Sequence, residues 1–364
     1  MERYIAVDNV CGWPKLTLMD DGSINMDIHN QPYHGSADGS AECWKSTDGG
    51  KIFKYAGVSG KGSIEDGAWV DKVCGLANNG DYLVIVQNIK QAKTVIFRSK
   101  DGGKTFEETG EIRSGREQIS NHGSMPFPFG IIQRMGGKKL VFHYWMNTSK
   151  DWEKGYADAV HEAHIAISYD DGYTWDEDYI IDTGINETAI LFYDDMHGIA
   201  VGRIDAAFTA NEGGQRDSGG GNRIYRTIDG GKTWIYEGNI WGQGMIPAHL
   251  LKLNDETTLM TFGYRFANQQ GIMASISKDK GKTWNEPNIL VSYAPFDGGY
   301  PSSVQLADDT IVTAYYSKGN MYHTRYHVGV IRWQLSDLLE GRWVDRPAKF
   351  FYGTDTEFVE DWRI

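Results

Sequence analysis

Thr227-Ile-Asp-Gly-Gly-Lys-Thr-Trp234 is one of five copies of an eight-residue pattern, and its reading decides the fold. The other copies are Ser46-Thr-Asp-Gly-Gly-Lys-Ile-Phe53, Ser99-Lys-Asp-Gly-Gly-Lys-Thr-Phe106, Ser168-Tyr-Asp-Asp-Gly-Tyr-Thr-Trp175 and Ser277-Lys-Asp-Lys-Gly-Lys-Thr-Trp284. The shared form, S-x-D-x-G-x-T-W, has the chemistry of a hairpin turn. The Asp carboxylate accepts bonds from nearby backbone N–H groups, Gly permits φ > 0, and the terminal aromatic packs under the turn. These residues are expected to hold structure and not to catalyse. Their acids, Asp48, Asp101, Asp170, Asp229 and Asp279, stand 53, 69, 59 and 50 residues apart, which suits a four-stranded blade plus variable loops. A 364-residue chain at that spacing holds about six blades, five with the pattern and one without. The expected fold is all-β, a six-bladed β-propeller in a single domain, 1–364. Strands are expected within 303–316 and 327–333, with Tyr4-Ile-Ala-Val closing the ring and removing exposed sheet edges.

Composition agrees. Twelve Trp and 20 Tyr, with 44 Gly and only 9 Pro, suit short strands joined by tight turns. Helical periodicity is confined to the region of Leu335 to Glu340. The longest irregular stretches, 114–130, 147–160 and 211–222, are loops on which binding sites tend to sit. A net charge of −13 argues against general binding to nucleic acid or an anionic membrane, and it requires a local basic pocket for any anionic substrate. Cys11, Cys43 and Cys74 are odd in number and lack metal spacing, so they read as buried thiols. The N-terminus carries no basic and apolar leader and no run of 18 apolar residues occurs, which predicts a cytoplasmic chain as written, or a secreted one if a leader has been removed.

The repeated pattern is the Asp-box, and through most of its length the chain resembles the sialidase (neuraminidase) superfamily. Asn186-Glu-Thr-Ala-Ile-Leu-Phe-Tyr-Asp-Asp-Met-His-Gly-Ile-Ala-Val-Gly-Arg203 is similar to the segment that carries that family's catalytic Glu and, one hairpin later, a substrate-binding Arg. Glu187 and Arg203 match those positions. Leu259-Met-Thr-Phe-Gly-Tyr-Arg265 places Arg265 where the family holds a substrate carboxylate, a task suited to the planar, permanently charged guanidinium. Asp297-Gly-Gly-Tyr-Pro-Ser-Ser-Val resembles the segment holding a nucleophilic Tyr, here Tyr300. A phenol suits an anomeric carbon that bears a carboxylate, because a carboxylate nucleophile would be repelled. The resemblance implies that Glu187 takes the phenolic proton. The acid falls in Asn30-Gln-Pro-Tyr-His-Gly-Ser-Ala-Asp-Gly-Ser-Ala-Glu42, where Asp38 is the first candidate and His34 the second.

One departure bears on the substrate. The family opens with an Arg-Ile-Pro-like motif that supplies the first of three carboxylate-binding arginines, and here the stretch reads Cys11-Gly-Trp-Pro-Lys-Leu. Lys15 adds charge without a bidentate fork, and Trp13 offers a face for sugar stacking. His122 and His249 are further candidates to line the pocket. His161 and His164 lie three apart on a strand, which puts them on opposite faces and unsuits them as a metal pair. The resemblance thus implies a retaining exo-glycosidase that removes a terminal, acidic sugar, sialic acid or a relative, from a glycan or small glycoside. No cofactor and no metal are expected. The alternatives are a non-catalytic carbohydrate-binding propeller, or a glycan lyase with His34 or His122 as base. Oligomeric state is not set by these features.

Overall fold

The computed structural model describes residues 1–34, 38–112, 125–147, 160–175, 177–204, 220–242, 244–266, 269–293, 297–319 and 323–339, with short strands at Phe350–Phe351 and Phe358–Val359. Among these residues, strands form six four-stranded antiparallel units spanning 15–60, 69–112, 127–183, 188–240, 248–293 and 298–333. The second and third are joined by a parallel bridge, Ile131 opposite Cys74. The sixth takes Glu2–Asp8 as its fourth strand, antiparallel to His327–Trp333 with Glu2 opposite Arg332 and Asp8 opposite His327. Leu335–Leu339 forms a short helix.

The first strands of the units are Lys15–Leu18, Trp69–Leu76, Phe127–Arg134, Thr188–Phe192, Ala248–Lys252 and Gly298–Gln305, and they touch in that cyclic order. The apolar residues explain the ring. Six buried clusters each join two successive units: Val312 and Val328 meet Ile24 and Met26, Cys43 meets Val84, Leu83 meets Phe142, Ile165 meets Ile190, Val201 meets Phe262, and Leu259 meets Ile331. The first strands are the inner ones; the second strands, covered on both faces, are nearly continuously apolar, as in Tyr82–Asn88, whereas a fourth, outer strand such as Ile235–Ile240 is largely exposed. Burial of this area supplies the main favourable term in folding.

The five repeated turns fold alike. At Asp279, Oδ1 accepts from Ser277 Oγ (2.7 Å), Lys282 N (3.1 Å) and Thr283 N (2.8 Å), and Oδ2 accepts from Thr283 Oγ1 (2.6 Å). Trp284 Nε1 closes the turn on Gly281 O at 3.2 Å. Each turn joins the third and fourth strands of its unit. This explains the missing sixth copy. The third and fourth strands of the sixth unit are His327–Trp333 and Glu2–Asp8, which come from opposite ends of the chain and share no turn. By the same topology the turns occupy one end of the ring, while the starts of the inner strands and the ends of the second strands meet at the other.

Candidate active site

That second end gathers most of the residues singled out from sequence. Glu187 directly precedes the fourth inner strand, Arg203 ends the strand paired with it, and Thr188 faces Gly202 across the ladder. Arg203 Nη1 donates to Glu187 Oε2 at 2.5 Å and to Tyr300 Oη at 3.2 Å, while Tyr300 Oη donates to Glu187 Oε1 at 2.5 Å. Tyr300 enters from the sixth inner strand, where the ladder slips between Gly299 and Ser302 and its own backbone is left-handed, φ 53°. Such a conformation disfavours an L side chain and is held by its surroundings. Gly263 lets the backbone just before Tyr300 come close, since a Cβ there would lie 3.3 Å from Gly299 Cα and 2.7 Å from Ile246 O. Two residues on, Arg265 sets its guanidinium 5.7 Å from the Tyr300 ring centroid and donates from Nη2 to Gly298 O at 3.0 Å. Arg265 Nε has no hydrogen-bond partner among the described residues. Burial, and then the charge of Glu187, raise the Tyr300 phenol well above its ordinary value, with Arg203 and Arg265 opposing.

The facing wall belongs to the first and second units. Lys15 is buried, its Nζ 3.8 Å from the Phe129 ring centroid, and burial pushes it down to about 8 against the attraction of Glu187. Asp71 lies where the ladder slips between Trp69 and Lys72, a slip that re-aims side chains. Burial, reinforced by Glu187, raises Asp71 to about 6, while Lys72 and Lys15 oppose. No hydrogen bond or ion pair is made by Asp71 among the described residues. Trp13, also left-handed at φ 38°, packs its ring against His29, His34 and Tyr316 at 5.4, 4.9 and 5.8 Å. Tyr316 in turn lies 5.7 Å from Tyr300. His34 Nδ1 and Asp297 Oδ2 are 2.6 Å apart, and Asp297 also accepts from Tyr316 Oη (2.8 Å) and Tyr326 Oη (3.0 Å). Burial would raise Asp297, but the bond and charge of His34, together with Arg265, hold it well below the usual carboxylate range.

Two sequence expectations land differently. Asp38 is engaged by the hydroxyl of Tyr33, and no hydrogen bond or ion pair joins it to Glu187, Tyr300 or an arginine among the described residues. His249 is buried, with Nε2 donating to Ser303 O at 3.1 Å, and burial lowers it to about 4. Its side chain thereby ties Ala248–Lys252 to the neighbouring strand Gly298–Gln305. His122 lies outside the described residues. His161 and His164 make separate contacts, with Trp145 and Tyr144 respectively, in keeping with opposite faces of one strand. All three cysteines are buried and free, as expected. Among the described residues, no helix is long and apolar enough to cross a membrane. Asp71 and Asp297 are site residues that the sequence expectations do not include. The signal for Asp71 was available, since Asp71-Lys72 interrupts the apolar run Trp69-Val-Asp-Lys-Val-Cys-Gly-Leu76.

No family pattern matches the sequence, and neither does any curated protein. Solved structures do. A protein of unknown function from Dyadobacter fermentans DSM 18053 superimposes with a TM-score of 0.71 at 19% identity, covering 91% of this chain and 98% of that one. The Hadza microbial sialidase Hz136 gives 0.63 at 16% identity, covering 93% of this chain and 66% of the sialidase. The α-L-arabinofuranosidase Arb93A from Fusarium graminearum gives 0.59 at 12% identity, covering 93% and 99%. The chain therefore shares a β-propeller fold with glycoside hydrolases.

Proposed function

We propose that the chain is a six-bladed β-propeller with Asp-box turns that hydrolyses a terminal glycosidic bond with retention. The observation that carries this reading is the Tyr300–Glu187 hydrogen bond at 2.5 Å, with Arg203 on the other carboxylate oxygen. A buried phenol is a poor nucleophile until its proton is taken, and Glu187 is placed to take it as the anomeric carbon is attacked. Arg203 fixes the Glu187 carboxylate and, through its second bond to Tyr300 Oη, joins Arg265 in favouring the phenolate character that develops on Tyr300.

The same two guanidiniums favour an acidic sugar such as sialic acid. Lys15, tucked over Phe129, adds a cation without a fork, which supports a glycan or glycoside carrying a relative of sialic acid over a strict sialidase substrate. Trp13 and His34 border the sugar, and Asp38 stands at the edge with Tyr33. The test is release of 4-methylumbelliferone from α-N-acetylneuraminic acid, uronic acid and α-L-arabinofuranose glycosides. Turnover of an acidic glycoside that Tyr300→Phe abolishes supports the reading in full. Turnover of the arabinofuranoside alone removes the acidic sugar, and glycan binding with no turnover removes the hydrolase in favour of a carbohydrate-binding propeller.

A further inference from the structure

We infer that His34, oriented by Asp297, is the group that gives a proton to the departing oxygen and later takes one from water; this rests on the glycosidase reading above. The Tyr300–Glu187 pair moves only the nucleophile's proton, so the leaving oxygen needs a second donor. Three carboxyl or imidazole side chains at the opening are not engaged with Tyr300: Asp38, Asp71 and His34. Asp38 is held by Tyr33. Asp71 lies toward the buried wall with Lys15 and Glu187. His34 is half-exposed at the rim, the side from which the rest of a glycan leaves when a terminal sugar is seated against Tyr300.

Its geometry is that of an oriented proton carrier. Nδ1 is committed to Asp297 at 2.6 Å, and Asp297 is itself fixed by two phenol donors on Tyr316 and Tyr326. The ring stands edge-on against Trp13 at 4.9 Å. Nε2 makes no hydrogen bond among the described residues, so the nitrogen opposite the carboxylate is left for the substrate. A carboxylate on one ring nitrogen fixes the tautomer and steadies the imidazolium. Cys11, whose sulfur lies within 4.8 Å of the pair, is a buried thiol that burial keeps protonated, so it does not compete for the proton.

The steps balance. In the first, the Tyr300 oxygen bonds to the anomeric carbon and its proton passes to Glu187, while the bond to the leaving oxygen breaks and that oxygen takes the Nε2 proton of His34. In the second, water bonds to the anomeric carbon and gives its proton to Nε2, and the Tyr300 oxygen leaves with the proton returned by Glu187. Asp297 is a positioning residue throughout.

The experiment compares methyl and 4-methylumbelliferyl glycosides of N-acetylneuraminic acid and of arabinofuranose, in wild type and in His34→Gln, Asp297→Asn, Asp38→Asn and Asp71→Asn. A proton donor matters most when the leaving group is poor. His34→Gln is expected to slow the methyl glycoside by about 10²- to 10⁴-fold and the umbelliferyl glycoside by less than about tenfold, with azide restoring part of the loss as glycosyl azide. Asp297→Asn is expected to give the same split more weakly, a pattern that loss of structure alone would not produce. If His34→Gln shows no split, or the split appears in Asp38→Asn or Asp71→Asn, the inference is wrong while the glycosidase reading stands. If wild type releases nothing from any of these glycosides, that reading falls first and this one with it.

Discussion

At the turn end of the ring Asp279 accepts four hydrogen bonds, whereas at the open end Asp71 makes none among the described residues. Burial would push Asp279 up, but bonds from the Thr283 side chain and backbone and from Ser277 outweigh it and hold the acid at about 2. Asp71 has burial and the charge of Glu187 both acting against ionisation, and it rises to about 6. One residue type thus serves two ends in opposite ways. Where the backbone satisfies the carboxylate, the acid is spent on shape. Where the fold leaves it among Glu187, Lys72 and Lys15, the charge remains available for chemistry.

The largest expected effect separates the two ends outright. Glu187→Gln keeps size and a hydrogen-bond acceptor but cannot take the phenolic proton, so turnover should fall by at least about a thousandfold with the melting temperature nearly unchanged. Asp279→Ala should do the reverse. Losing the turn bonds should cost about 1–2 kcal/mol of stability in denaturant melts and leave kcat intact. That cost also has a pH signature. Because the folded acid titrates at about 2, below its unfolded value, its contribution is complete above about pH 4 and is lost as the pH falls toward 2. A turnover loss in Asp279→Ala without a stability loss would erase the distinction between the ends.

The same contrast explains what the sequence made legible. The turns repeat, and repetition of Ser, Asp, Gly and Trp at fixed offsets is local chemistry that needs no knowledge of the rest of the chain. Six units followed from five copies because the spacing was regular. The sixth turn is absent for a reason that only the closed ring reveals, the pairing of Glu2–Asp8 with His327–Trp333. The wall made of Glu187, Arg203, Arg265 and Tyr300 was legible because each sits in a recognisable local segment. The facing wall was not. Asp71 gains its character from burial and then from Glu187, 116 positions away in the chain, and the His34–Asp297 pair spans 263 positions. Asp38 and His249 show the converse, since each looked suitable in its segment, yet Tyr33 and the Ser303 carbonyl claim them in the fold.

The smallest expected effect tests whether the facing wall addresses the substrate at all. Lys15 titrates at about 8, held there by burial, with Glu187 and, more weakly, Asp71 pulling it back up. Below that pH its ammonium attracts an acidic sugar, and above it the attraction is lost, so KM for an acidic glycoside should rise as the pH climbs through about 8. Asp71→Asn should act in two directions. Near pH 7 it removes a charge that repels the sugar and should lower KM a few-fold. It also removes one of the charges that keep Lys15 protonated, so the alkaline rise in KM should begin at a lower pH than in wild type. KM measured from pH 6 to 9 in wild type, Asp71→Asn and Lys15→Met reads both effects, and Lys15→Met should flatten the rise. The same change at the turn end, Asp279→Asn, should leave the profile where it was, since its carboxylate is satisfied far from the opening. A profile that Asp71→Asn does not move would make the first and second units a scaffold for the pocket and leave the sugar to the arginines alone.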